Sequence, residues 1–258
     1  MALGRLSSAP EIRVFARNPG RAAAALGESV FCSSDPCEVA RGASVVVFCT
    51  PVECMGSLAR AIRDIPGPDA VVTDAGSVKE GPVRELEEIF GGRYVGAHPM
   101  AGSEQAGIEA ARKDLFDGAC CILTPTDVTA TDALARVEKF WTGVGCRTLC
   151  LSASEHDRLV ALASHLPHAV ASILIETVGA EDPLALQLAG GGLRDSTRIA
   201  AGPPEMWAGI FHANRGRVVD ALDQFLERAA RFRGLVSQAR PEEIAAFLAS
   251  AKNWRDSL

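Results

Sequence analysis

Short runs of β-branched and aromatic residues alternate with helix-forming stretches over residues 1–150, and this alternation constrains the fold more than any other feature. Strands are expected at 12–17 (IRVFAR), 44–49 (SVVVFC), 70–76 (AVVTDAG), 93–98 (RYVGAH), 119–125 (ACCILTP) and 146–151 (CRTLCL). Stretches such as VKEGPVRELEEIF and TDALARVEKFWTGV read as the helices between them. Strands that are apolar without interruption are buried on both faces. Alternating with helices, they imply a doubly wound parallel sheet of Rossmann-like type.

The pattern changes after Leu151. HDRLVALASHLPHAVASILIETV is apolar around nearly its whole circumference and predicts a buried helix, kinked by Pro167. RVVDALDQFLERAARFR places apolar residues on one helix face, and PEEIAAFLASAKNWRDSL opens with a proline and two acids, a good helix start. No strand candidates remain. The reading is α/β then all-α, with a dinucleotide-binding domain at 1–150 and a helical substrate and dimerisation domain at 151–258. A helix as apolar as 158–178 needs cover on every side, which a second copy would supply, so a homodimer is expected.

Composition narrows the partners. The chain of 258 residues is 48% hydrophobic and 22% charged, a globular balance, with a net charge of -6 and no basic block. That argues against nucleic acid or an anionic membrane as a partner. No apolar run reaches the ~18 residues that span a bilayer. MALGRLSSAPEIR lacks the charged start and apolar centre of a signal peptide. None of the eight cysteines forms a CxxC pair, which reads as reduced, buried thiols of a cytoplasmic protein and no metal site.

In an open parallel sheet the ligand lies beyond the carboxyl ends of the strands. Those ends read ARN (16–18), CTPVE (49–53), DAGSVK (74–79) and GAHPMAGSE (96–104). Their small and polar residues, among them Thr50, Pro51 and Gly76, let a ligand approach the backbone, and Ser77 and His98 fall on one rim. A dinucleotide domain also carries GxGxxG after its first strand, and this chain has none. Met1 to Leu6 reads as the tail of the helix that would follow that turn. The expectation is a start at an internal methionine, with roughly a dozen or more residues upstream to hold one ~5–6-residue strand and its turn. A cofactor-free, degenerate domain is the alternative. Ala16 stands where NAD sites place an acid, and Arg17, Asn18 and Arg21 follow. A guanidinium suits a 2′-phosphate, so NADP is favoured over NAD unless Arg17 is only a solvated turn residue.

Five stretches then fall into one pattern: DAGSVK (74–79), HPMAGSEQAG (98–107), LFDGACCILTPT (115–126), SHLPHAVA (164–171) and GGGLRDSTRIAAGPPEMW (190–207). In order and spacing the chain resembles the prephenate/arogenate dehydrogenase family of tyrosine biosynthesis. The resemblance implies oxidative decarboxylation of prephenate to 4-hydroxyphenylpyruvate, or of arogenate to tyrosine, with NAD or NADP as hydride acceptor. It places His98 at the ring hydroxyl with Ser77 beside it, Arg198 on a substrate carboxylate, His168 in the same pocket, Glu104 near its mouth and Trp207 alongside. The Gly-led stretch that begins at Gly190 and Gly191 fits close ligand approach.

The chemistry asks for these residue types. Oxidising a ring alcohol needs a base for the hydroxyl proton, and a neutral imidazole suits that at neutral pH. A substrate with two carboxylates asks for a fixed guanidinium. Plainer readings stand beside these. His98 could cap a strand end, and His156 could be a surface residue near a helix start. His165 is expected to bond backbone freed by Pro167, His212 to be structural, and Met100 and Trp141 to be core. Another hydroxyacid or imine oxidoreductase, or a non-catalytic dimer, are the rival functions.

Overall fold

A computed structural model describes residues 2–5, 10–27, 30–102, 107 and 111–258. The chain forms two compact units, residues 1–214 and 215–258.

In the first unit, strands and helices alternate as β1 (Arg13–Phe15), α1 (Pro19–Leu26), β2 (Phe31–Ser33), α2 (Pro36–Ala40), β3 (Val45–Phe48), α3 (Val52–Ile62), β4 (Val71–Asp74), α4 (Glu80–Phe90), β5 (Tyr94–Pro99), β6 (Cys120–Thr124), α5 (Thr131–Gly143) and β7 (Arg147–Cys150). Strands β3-β4-β5-β6-β7 form a five-stranded sheet, and β1 and β2 pair as a sheet of their own. A 3-10 turn at Ala2–Arg5 stands where the tail of a first helix was expected. Among the described residues no strand joins β1 to β3.

All six expected strands form, and β2 is the addition; FCS offers only three residues, too few to show a period. Strand β6 runs antiparallel to β5, which departs from the all-parallel expectation. A parallel return needs a crossover element, usually a helix, and the described residues between Pro99 and Cys120 contain none.

The central strands of the sheet are covered on both faces, as their apolar residues require, while edge strand β7 is largely exposed. Met55, Ala59, Leu86 and Phe90 of α3 and α4 pack with Phe48, Val72 and Tyr94. Ala133, Val137 and Trp141 of α5 pack with Val71, Val95 and Ala97 on the other side. Every residue of β4 and β5 is buried, which anchors the strand ends that carry Asp74 and His98. Only Cys121 and Cys146 among the eight free cysteines are buried; Cys49 just beyond β3, Cys54 on α3 and Cys150 at the end of edge strand β7 are exposed, which corrects the expectation of buried thiols.

The helical part of the first unit comprises α6 (Ala153–Val160), a π-helical turn (Ala161–His165), α7 (Leu166–Glu181), α8 (Pro183–Gln187), α9 (Gly191–Thr197), a 3-10 turn (Arg198–Ala201) and α10 (Pro204–Ala213). The expected irregularity at Pro167 is the π turn just before it. Pro167 has no N–H to offer the Ala163 carbonyl, and the Leu166 N–H bonds back to Ala161. The helical run 153–181 is long and apolar enough to cross a membrane by length and composition, with an 18-residue window of mean hydropathy 1.5. That corrects the expectation that no segment reaches this length. The run nevertheless carries buried His156, Asp157, His165 and His168, and two of these bond to the α/β part, as described below. It is not covered all round within the chain: Ile173 and Leu174 are exposed. The second unit is a helical pair, α11 (Arg215–Ser237) and α12 (Pro241–Asp256), with Phe232 and Phe247 ring centroids 5.0 Å apart.

Candidate functional site

The ends of β3, β4 and β5 converge on one polar centre. Asp74, the last residue of β4, is fully buried. Its Oδ1 accepts from the Tyr94 hydroxyl at 2.9 Å and the Ala97 N–H at 3.0 Å. Its Oδ2 accepts from the Gly76 N–H at 2.9 Å and pairs with Lys79 Nζ, whose side chain is also fully buried. Lys79 donates to the Val78 carbonyl as well, at 3.1 Å. A buried ion pair is tolerated when hydrogen bonds satisfy the remaining lone pairs, as here. Asp74 therefore fixes the turn that carries Ser77 against the strand that carries His98.

Gly76 is close-packed. A Cβ there would lie 2.9 Å from Asp74 Oδ2 and 3.0 Å from Val52 Cγ1, so the Gly76–Ser77 turn sits directly against the start of α3, next to Thr50 and Pro51. The Thr50 hydroxyl is buried and has no hydrogen-bond partner among the described residues. Arg17 and Asn18 lie in the bend between β1 and α1, beside the separate β1–β2 sheet, and are exposed. Asn18 has a local task, because its Oδ1 caps α1 by accepting from the Arg21 N–H at 3.0 Å.

His98 is 8% exposed at the end of β5. Its Nδ1 lies 2.8 Å from His156 Nε2, and His156 Nδ1 lies 2.7 Å from Asp157 Oδ1. Asp157 also accepts from the N–H groups of Lys79 (2.7 Å) and Glu80 (2.9 Å) at the start of α4. The amino terminus of a helix in the α/β part is thus capped by a carboxylate from α6, where the helix dipole favours negative charge. His156 is fully buried, so the surface reading of this residue is wrong. Burial holds the His98 pKa well below a histidine's ordinary value, and Lys79, His156 and His165 push it the same way.

Next to this chain the π turn delivers His165, 1% exposed. Its Nδ1 lies 3.2 Å from Asn214 Nδ2, which also donates to the Asp157 carbonyl at 2.9 Å. The partner of His165 is therefore a side chain and not backbone freed by Pro167. Burial lowers the pKa of His165 to about 4. His168, one turn on, stacks face to face on Trp207 with centroids 3.6 Å apart and planes 12° apart. Gly202 closes on this stack: a Cβ there would lie 2.7 Å from Trp207 Nε1 and 3.4 Å from His168 Cε1. Gly202→Ala should displace the indole and lower stability by about 1–3 kcal/mol, the usual cost of overpacking; urea unfolding measures it.

The structure thus brings His98 and Ser77 to adjacent strand ends, and joins His168 and Trp207 to the same region through His165. Arg198 is exposed at the head of the 3-10 turn that leads into Gly202, and Gly191 is exposed at the start of α9. Glu104 lies outside the described residues. Met100 is half-buried, Trp141 is core as expected, and His212 is exposed. Sequence reading missed Asp74, Lys79 and Asp157 as parts of the site. The local signal was present: Asp74 and Lys79 bracket the DAGSVK stretch, and Asp157 adjoins His156 in EHD. Among the described residues no cluster of His, Cys, Asp or Glu is arranged to hold a metal ion.

Chemically, the arrangement offers a neutral imidazole at a strand-end rim, backed by a carboxylate and flanked by an aromatic stack. It is equipped to accept a proton from a hydroxyl brought to that rim. Two family models match the chain: the prephenate dehydrogenase nucleotide-binding domain over residues 7–150 and the prephenate dehydrogenase dimerization domain over 152–250. The prephenate dehydrogenase of Bacillus subtilis (strain 168) is 34% identical over 222 residues, covering 84% of this chain and 60% of that protein. A cyclohexadienyl dehydrogenase of Zymomonas mobilis is 33% identical, covering 82% of this chain and 73% of that protein. The crystal structure of Aquifex aeolicus prephenate dehydrogenase with hydroxyphenyl propionate and NAD+ superposes with a TM-score of 0.91 at 33% identity, over 99% of this chain and 92% of that one. By both family models and these relatives, the chain belongs to the prephenate dehydrogenase family.

Proposed function

We propose that the protein oxidatively decarboxylates prephenate to 4-hydroxyphenylpyruvate, with a nicotinamide nucleotide as hydride acceptor, in tyrosine biosynthesis. One observation carries this reading beyond family membership: His98 is buried at the β5 end, where burial holds its pKa low, with Ser77 on the neighbouring strand end and the His168–Trp207 stack nearby.

Thr50, Pro51, Gly76 and Ser77 fit a nicotinamide. The buried Thr50 hydroxyl has no hydrogen-bond partner among the described residues, and the Gly76–Ser77 turn lies against the start of α3 beside it. When bound, that group supplies the hydride acceptor. Arg17, after Ala16 and beside Asn18, favours NADP over NAD through a guanidinium for the 2′-phosphate.

His98 takes the proton of the ring hydroxyl and Ser77 orients that hydroxyl. Arg198 holds a substrate carboxylate. His168 and Trp207 wall the ring, and Gly191 allows close approach of the α9 start. The ring that forms is a dienone, and loss of its carboxylate restores aromaticity, so decarboxylation asks little further of the protein. Residues 1–150 bind the nucleotide and 151–258 bind substrate and dimerise. A second copy covers the exposed Ile173 and Leu174, and the free thiols suit a cytoplasmic enzyme.

The test compares kcat/KM for prephenate and for arogenate, each with NAD+ and with NADP+. Higher values with prephenate and NADP+ are expected. A preference for arogenate would reassign the substrate, and a preference for NAD+ would remove the role of Arg17. Replacing Arg198 by Gln should raise KM for the dicarboxylate substrate more than it lowers kcat, because it removes binding made equally to ground and transition states. An unchanged KM would take Arg198 out of the substrate site.

A further inference from the structure

The hydrogen-bond chain behind His98 fixes which of its nitrogens carries hydrogen. Asp157 caps α4 through two backbone N–H groups, so its carboxylate only accepts. A neutral His156 then donates from Nδ1 to Asp157 and keeps Nε2 as an acceptor. His98 lies 2.8 Å from that nitrogen and must donate to it from Nδ1. The lone pair of His98 is left on Nε2. An isolated neutral imidazole has no such constraint, and which tautomer is present is set by the hydrogen bond made by the other nitrogen.

We propose that His156 and Asp157 are positioning residues that hold His98 as the Nδ1–H tautomer, so that Nε2 faces the reaction as the base, and that His156 receives the His98 Nδ1 proton during turnover. The catalytic half of this inference rests on the function proposed above. The step balances: the substrate O–H bond breaks as a bond forms from that proton to His98 Nε2, and the Nδ1–H bond of His98 breaks as the proton passes to His156 Nε2. The positive charge then rests on His156, hydrogen-bonded to the Asp157 carboxylate, rather than beside buried Lys79. Only the His156–Asp157 bond of this network is local in the sequence. The rest exists because α6 is tied to the start of α4, at residues 78 and 77 positions away along the chain.

The experiment is side-chain 1H–15N correlation spectroscopy on the full chain labelled with 15N-histidine, with the His98 signals identified by their loss in His98→Asn. The expected wild-type spectrum at neutral pH shows His98 protonated on Nδ1 and unprotonated on Nε2. His156→Phe, which removes the acceptor, should shift His98 to the other tautomer or a mixture and lower kcat at least tenfold with KM little changed. His156→Gln, whose amide oxygen can still accept from His98 Nδ1 but cannot take up its proton, should restore the tautomer while kcat stays below wild type. A wild-type His98 protonated on Nε2 overturns the proposal, whether or not His156→Phe folds. So does a His156→Phe variant with unaltered tautomer. A His156→Gln variant with full wild-type kcat overturns the proton-transfer step. The spectrum needs no substrate, so a protein that shows the expected tautomer yet does not turn over prephenate refutes the proposed function and leaves the positioning role standing.

Discussion

Replacing His98 with asparagine lowers kcat by about 10²–10⁴, the usual contribution of a positioned general base. Asparagine keeps a polar side chain at the end of β5 but cannot accept the ring-hydroxyl proton. KM should change far less than kcat, since the residue acts mainly as the proton moves. The same group sets the pH dependence. Burial, Lys79, His156 and His165 all lower the His98 pKa well below 6.5. The neutral, basic form therefore persists as pH falls through the ordinary histidine range. The acid limb of kcat/KM, which reports the free protein, should lie clearly below pH 6.5. Asp157 on α6 and Asp74 on β4 are the negative groups in this network, each already paired within it. A change in kcat of under ~3-fold in His98→Asn would remove it from the mechanism, set against the 10²–10⁴ expected of a base.

The second large effect is on stability. Asp74→Ala should cost about 3–5 kcal/mol, because removing one partner leaves the other charge buried without compensation. Lys79 is fully buried and would keep only the Val78 carbonyl, while the Tyr94 hydroxyl and the N–H groups of Gly76 and Ala97 would lose their acceptor. Urea unfolding with an unchanged m-value measures the loss. A cost near that of an exposed ion pair, below about 1 kcal/mol, would show that Asp74 does not hold the strand ends together.

Much of this was legible because it is local and periodic. Apolar runs placed six strands, α4 and α5 were read as the helical stretches between them, α11 followed from its apolar face and α12 from its proline and two acids. Strand β2 escaped because three residues show no alternation, and the antiparallel β6 because direction is set by what the connection contains and not by the strand itself. The histidines show the limit most clearly. His98 announced itself at a strand end. His156 lies near a helix start with Ser152 as its cap, which is also how a surface residue reads. Its burial comes from Asp157 reaching the start of α4, a contact no window of sequence contains. The π turn at Ala161–His165 was equally hidden. It changes the hydrogen-bond register by one residue while the apolar pattern continues unbroken. Asn18 shows the opposite case: a residue proposed for the nucleotide has a structural task as a helix cap that its position before Pro19 already implied.

Conversion of prephenate through His98 can be followed by incubating the purified protein with prephenate and either NAD+ or NADP+, measuring reduced nicotinamide and 4-hydroxyphenylpyruvate together, beside the His98→Asn variant. The wild type should form equal amounts of the two products, and the variant should be slower by about 10²–10⁴. Absence of 4-hydroxyphenylpyruvate with both nucleotides, or equal rates in the two proteins, would contradict conversion through His98.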